Sequence, residues 1–367
     1  MITFTTFCIV IIIQFFYYFF FYGNFYFSKS VALPKQKLGV SVVICAKNES
    51  RNLASFLPKI ARQNYSDFEI VLVDDSSTDN SLQIMQEFKR DYTSNHLSIQ
   101  VIAVPKNKSQ GKKSALSKGI LSSKNEYLVL TDADCKPVSK DWLSEITSHF
   151  IKEKSIVLGY GAYRKIKNSF LNKIIRFETL LTALQYFSYA KTGNAYMGVG
   201  RNIAYKKDVF LKASGFDDHL HIISGDDDLF INSIATKKNT AICYSKNSFT
   251  ISEPETDLNN WIRQKRRHIT TSNQYKRSHQ ILLGLFYVSQ ILFWILSISL
   301  LVMKIFPVIT IILIIIRFII WYIAINQTAK KLNEKDLIRF SPIYEISIIF
   351  IQLYIFIRNI ISSPKQW

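Results

Sequence analysis

The chain has 367 residues, 48% apolar and 20% charged, with a net charge of +19. Such a composition supports a large packed core and excludes general disorder, while the basic excess points to nucleic acid, a membrane surface or a phosphorylated ligand. The four cysteines, at 8, 45, 135 and 243, form no Cys-x-x-Cys pair, which argues against a zinc ribbon and for buried free thiols in a reducing compartment.

Residues 2–27 carry no charge and are long enough for a bilayer, which takes about 20 residues. No basic segment precedes them and no small-residue cleavage site ends them, so they read as a span and not as a signal peptide. Residues 281–303 form a second charge-free run. A third, 305–326, is interrupted by Arg317, and a fourth, 343–361, contains Glu345 and Arg358. An arginine facing lipid at mid-depth costs roughly 3 kcal/mol, so Arg317 either pairs inside the bundle or marks a segment that does not fully span.

Lys29, Lys35 and Lys37 follow the first run, and Lys276 and Arg277 precede the second. Lys330, Lys331, Lys335 and Arg339 lie between the third and fourth. The positive-inside rule puts all three places on the cytoplasmic side. The second and third runs then form a hairpin, and the fourth crosses or lies flat on the inner face. The expected organisation is a membrane helix in 1–28, a cytosolic domain in 38–279 and a membrane region in 280–367.

Within the cytosolic domain, "GVSVVICA" (39–46), "FEIVLVDD" (68–75), "LSIQVIAV" (97–104) and "EYLVLTDAD" (126–134) read as buried strands. Helical patterns separate them: Leu53, Phe56, Leu57 and Ile60 share one face, "SSTDNSLQIMQEFKR" opens on capping residues, and 111–123 has a glycine entry. The alternation predicts an α/β fold with a parallel sheet covered on both faces. Ligands of such sheets bind at the carboxyl ends of the strands. The residues ending these strands are Lys47, Asn48 and Glu49, then Asp74 and Asp75, then Asp132 and Asp134. Acids at this edge speak against a phosphodiester groove and hence against nucleic acid.

Asp132 and Asp134 in "TDADC" suit a hard divalent cation, Mg2+ or Mn2+, which takes one or two carboxylates plus substrate phosphates. Read alone, the triplet is equally a solvated turn. Further on, "SGDDDLF" places Asp226, Asp227 and Asp228 in a row, as a solvated loop, helix-capping acids, a metal site or a proton acceptor.

The ordered series "VICAKNES", "IVLVDDSSTDNS", "GKKSALSKGI", "YLVLTDAD", "SGDDDLF" and "QKRRH", over residues 39–268, resembles the inverting family-2 glycosyltransferases, which have a Rossmann-like GT-A fold. The flanking apolar runs are similar to the integral-membrane branch, with its ceramide glucosyltransferases and polysaccharide synthases. The resemblance implies a nucleotide-sugar donor, a UDP-sugar above all, bound by Glu49, Asp74, Asp75, Lys112, Asp132, Gln264 and Arg267. Asp134, with Asp132, would hold the metal on the diphosphate. Aligning Asp226 with the family's first acid makes Asp227 the general base that deprotonates the acceptor hydroxyl; a one-residue slip would make it Asp226 or Asp228. Arg201 and Asn202 of "YMGVGRN" would reach donor or acceptor. His268 stands where the family's Gln-x-x-Arg-Trp signature has tryptophan, which removes the stacking surface of the indole. The same basic helix can also serve as a phospholipid-headgroup anchor.

The implied protein is an enzyme of a bacterial inner membrane with its catalytic domain cytoplasmic. It would transfer a sugar to a lipid or glycan acceptor. A processive polysaccharide synthase and a non-catalytic membrane scaffold are the competing expectations.

Overall fold

A computed structural model describes residues 1–30, 33–93, 97–108, 111–222 and 224–362. Ten strands occur among them: Val40–Ala46 (β1), Phe68–Asp74 (β2), Leu97–Ala103 (β3), Tyr127–Leu130 (β4), Cys135–Pro137 (β5), Ile156–Leu158 (β6), Gly161–Tyr163 (β7), Ile203–Lys206 (β8), Thr240–Ile242 (β9) and Thr250–Ser252 (β10). Seven form one sheet in the order β3-β2-β1-β4-β8-β6-β9, and β5-β10-β7 form a small second sheet.

The first four strands pair in parallel, as their buried apolar runs predict. Register fixes the site: Ala46 pairs with Asp74 and Asp74 with Ala103, so the residues after each strand emerge at one edge. The sheet is mixed, however. β8 runs antiparallel between β4 and β6. It brings the turn before Ile203 back to the edge where β4 ends.

The helices pack as their spacing dictates. Leu53, Phe56, Leu57 and Ile60 are the buried face of Ser50–Ala61. The Lys112–Ser122 helix lies close on β1 and β2, because a Cβ on Gly119 would stand 2.7 Å from Val73 and 2.9 Å from Val43. That close contact sets the position of Lys112 at the helix start.

Among the described residues, four helices are long and apolar enough to cross a membrane: Ile2–Tyr26, Arg277–Val302, Pro307–Lys331 and Lys335–Ile361. Arg317 does pair inside the bundle. Its guanidinium donates to both oxygens of Glu345, with Nη1 to Oε2 at 3.0 Å, and Nε donates to Gln14 at 2.7 Å. Phe293 lies 4.6 Å from the guanidinium, ring centroid to Cζ.

The Phe170–Lys191 helix joins the α/β domain to these segments. Its buried Arg176 pairs with Glu334 and with Asp336, the latter at 2.7 Å, in the turn after Lys331.

The Ser341–Ile361 helix behaves unlike the other three. Near its start, Tyr344 meets the rings of Phe170 and Phe177 at 5.9 and 5.5 Å. Near its end, Asn359 accepts from Arg266 Nε at 2.8 Å and donates to the Arg266 carbonyl at 3.1 Å. Both ends are therefore held by helices of the α/β domain.

Candidate active site

The β1 and β2 ends interlock through turn chemistry. Asn48 (φ 58°) and Ser76 (φ 60°) take left-handed conformations, which asparagine tolerates well. Asn48 Oδ1 accepts from the Thr78 N–H at 2.8 Å. Asp74 and Asp75 are both buried. Asp74 Oδ2 accepts from the Ser77 N–H at 3.2 Å, while its other oxygen has no hydrogen-bond partner. Lys47 Nζ is 3.8 Å from Asp75. Glu49 accepts from Asn52 at 2.6 Å, and burial raises its carboxyl above the usual range.

The centre of the site is a cation among acids. Lys112 Nζ lies 2.9 Å from Asp132 Oδ1 and 2.7 Å from Asp226 Oδ2. Gly200, in the turn before β8, sits against the same group. A methyl built on it would stand 3.4 Å from Asp227 Oδ2, 3.6 Å from Asp226 Oδ2 and 3.7 Å from Asp132 Oδ1. Three segments distant in sequence thus converge at one point, and a cleft lined by Lys112, Thr131, Asp132, Gly200, Asp226 and Asp227 opens there.

The three consecutive aspartates have different partners. Asp226 belongs to Lys112. Burial alone would raise its carboxyl, but the lysine charge outweighs this and holds it below the usual range. Asp227 accepts from the Gly200 N–H at 2.7 Å and from the Asp228 N–H at 2.7 Å. Burial, then Asp226 and Asp228, push its carboxyl up to about 8. Asp228 turns away from the cleft. It accepts from Thr271 and from the Tyr275 hydroxyl, the latter at 2.7 Å, and caps the Leu229 N–H. It joins the acid segment to the chain entering the Arg277–Val302 helix.

Asp132, Asp134 and Cys135 bring ligand atoms within 4.8 Å of one another. The Cys135 thiol is buried, shares a hydrogen bond with Ser252 at 2.9 Å, and is pushed well up by burial and by both acids. Burial and then Asp132 raise Asp134 to about 6. Two crowded carboxylates beside an open cleft suit a hard divalent cation that completes its shell with phosphate oxygens. The thiol, kept protonated, adds little to such a site.

The remaining candidates divide. Arg201 lies over the Tyr163 ring at 4.3 Å, and its backbone carbonyl accepts from Thr131 and Thr250. Asn202 is not in the cleft. Its buried amide accepts from Trp142 Nε1 at 3.0 Å and donates to the carbonyls of Tyr160 and Ser248 at 2.9 and 2.8 Å, so it fastens the core. Gln264, Arg267 and His268 share the Leu258–Ile269 helix, capped by Asp257. His268 is exposed and lies within electrostatic reach of Arg201 and Asp226. Partial desolvation and the cations Lys265, Arg267 and Arg201 lower its imidazole below the usual range, which favours the neutral ring.

Sequence reasoning missed Lys113. Successive helix residues diverge by about 100°: Lys112 turns to the acids, and Lys113 is buried under the loop before them. It donates to the carbonyls of His219 and Ile222 at 2.5 and 2.9 Å, and burial lowers it to about 8. Its place directly after Lys112 was the available signal. The Gly200 N–H left no signal at all, since backbone donors are invisible in side-chain motifs.

Residues 41–213 match the glycosyl transferase family 2 profile, which ends before the aspartate triplet. A poly-beta-1,6-N-acetyl-D-glucosamine synthase from Staphylococcus epidermidis is 30% identical over 100 residues, 27% of this chain and 23% of that protein. A cholesterol galactosyltransferase from Borreliella burgdorferi is 31% identical over 98 residues, 27% of this chain and 25% of that protein. The matched stretch thus spans about a quarter of each of these curated relatives. Among solved structures, a mannosyltransferase from Pyrobaculum calidifontis, in complex with GDP-Man and Mn2+, superposes with a TM-score of 0.57. It is 14% identical and covers 92% of this chain and 98% of that one, which shows a shared fold.

Proposed function

With residues 41–213 forming a glycosyl transferase family 2 domain, we propose that this protein is an inverting, membrane-bound glycosyltransferase. It moves a sugar from a nucleotide-diphospho-sugar to a hydroxyl of a lipid or lipid-linked acceptor at the cytoplasmic face. The observation that carries this reading is the convergence of Asp132, Asp226 and Asp227 around Gly200, with Lys112 between the strand-end acid and the triplet.

Asp227 is the general base. Its two backbone hydrogen bonds fix the carboxylate, and its raised proton affinity brings it near the range where a base works best. It takes the acceptor proton as the hydroxyl attacks the anomeric carbon. A single displacement with one base inverts that carbon. Asp226 stays ionised against Lys112 and keeps that lysine at the edge of the donor pocket. Glu49 and Asp75 would bind the nucleoside, and Arg201 and His268 would contact the sugars. Asp132 and Asp134 would hold a divalent cation, which when bound neutralises the departing diphosphate. Domain limits of 1–28, 38–279 and 280–367 fit this division of labour.

The sterol-acting relative and the membrane-long helices support a lipid acceptor. The polymer-making relative supports the processive alternative. A donor screen on detergent-solubilised protein, reading released nucleoside diphosphate and product length, tests both. Asp227→Asn is expected to lose about 100-fold or more in turnover. Full turnover in Asp227→Asn with loss in Asp226→Asn would move the base by one residue. A ladder of products would favour the synthase.

A further inference from the structure

The Ser341–Ile361 helix has the length and apolarity of a span, yet it is held at both ends by the cytosolic domain. Tyr344 packs on Phe170 and Phe177, and Asn359 and Ser362 bond Arg266. A helix of 21 residues is about 31 Å long at 1.5 Å per residue. Were it upright, one end would lie across the membrane from the domain that both ends touch. Between its ends it crosses the Arg277–Val302 helix, where the Tyr287 hydroxyl donates to the Ile349 carbonyl at 3.2 Å.

Its two faces differ. Tyr344, Glu345, Ile348, Ile349 and Ile355 are buried against the protein. The opposite face exposes Ile343, Phe350, Tyr354, Ile357 and Ile361, and in the last two turns Phe356 and Ile360 are exposed as well. The Arg277–Val302 helix that it crosses exposes the same kind of residue, Ile281, Leu285 and Val288. Exposed cations stand at both ends: Lys335 and Arg339 before it, Arg358 in its last turn. Apolar bulk on one face with cations at the rims is the pattern of a helix lying at the headgroup boundary of an anionic leaflet.

We propose that Ser341–Ile361 lies in the plane of the membrane on the side of the catalytic domain, its exposed face inserted among the lipids of that leaflet. Arg266 then locks the helix bearing Gln264, Arg267 and His268 at headgroup depth. A lipid acceptor reaches the cleft sideways from the leaflet. The proposal rests on the membrane reading but on neither Asp227 nor the donor, so its failure leaves the transferase chemistry standing.

Ile343, Phe350 and Ile357 are seven residues apart and share the exposed face. Each is changed to cysteine in the full chain lacking its four native cysteines, spin-labelled, and placed in liposomes of phosphatidylglycerol and phosphatidylethanolamine. Depth is read from collisions with oxygen and with a water-soluble nickel chelate. An in-plane helix gives one shallow depth for all three positions. An upright helix gives steps of about 10 Å per seven residues, and that result overturns the proposal. Independently, Arg339→Cys and Ser362→Cys should both react with a membrane-impermeant maleimide from the side of the catalytic domain. Labelling of Ser362→Cys from the opposite side alone also overturns it.

Discussion

Lys112 and Asp226 form an ion pair of 2.7 Å at the centre of the cleft, and the same ammonium reaches Asp132. The lysine keeps acids from different chain segments together. Lys112→Met leaves them facing one another without a cation. Turnover, read as nucleoside diphosphate release, is expected to fall about 100-fold, and Lys112→Arg should recover part of it. A variant that keeps full rate would place the donor elsewhere.

Asp227 makes a stability prediction with a definite sign. Its folded proton affinity, about 8, lies above that of an unfolded aspartate, about 3.9. Between those values the folded protein holds a proton that the unfolded chain has lost. Stability therefore falls as pH rises through the window and levels off above about 8. One proton sets a limiting slope of about 1.4 kcal/mol per pH unit. Asp134 adds the same sign up to about 6, and Asp226, held low, acts at more acidic pH. Metal-free thermal unfolding of the wild type and of Asp227→Asn should diverge most steeply between about pH 5 and 7, and the divergence should level off above about 8. Parallel curves would show that Asp227 does not carry the raised affinity.

The acidic edge was legible because β1, β2 and β4 are buried runs whose polar ends must meet in a parallel sheet. The division of labour within the triplet was not. Three identical residues offer no contrast until Lys112, Gly200 and Tyr275 each take one. Asn202 misled for a related reason. A glycine-rich stretch suggests a ligand loop, but its amide is taken by Trp142, 60 residues away in sequence. β8 escaped because four residues carry too little periodicity to announce an antiparallel strand. The fourth apolar segment reads alike whether it crosses or lies flat, because contacts at its two ends, Tyr344 with Phe177 and Asn359 with Arg266, leave no trace in its hydropathy.

Metal binding should compete with protons. Burial and Asp132 hold Asp134 up at about 6, and a cation needs both carboxylates ionised. In the presence of nucleoside diphosphate, Mn2+ affinity by calorimetry is expected to weaken as pH falls from about 7 to 5, approaching tenfold per unit below about 6. Asp134→Ala should lose binding about 100-fold. Cys135→Ser should keep it, because a hard cation prefers oxygen to a protonated thiol. Loss in Cys135→Ser with retention in Asp134→Ala would reverse the ligand assignment.

Arg317 and Glu345 are each 1% exposed, so neither charge has water to fall back on. Removing one partner leaves the other buried and uncompensated, at a cost of about 3–5 kcal/mol. Gln14 and Gln290 surround the pair but carry no charge to replace the missing one. Arg317→Met and Glu345→Gln are therefore each expected to lower the unfolding temperature in detergent markedly. The double variant Arg317→Met/Glu345→Met should recover most of the loss, because two apolar side chains of similar length fill the space without a stranded charge. If the double variant were as unstable as the sum of the singles, the pair would matter for its hydrogen bonds to Gln14 and Gln290 and not for charge balance.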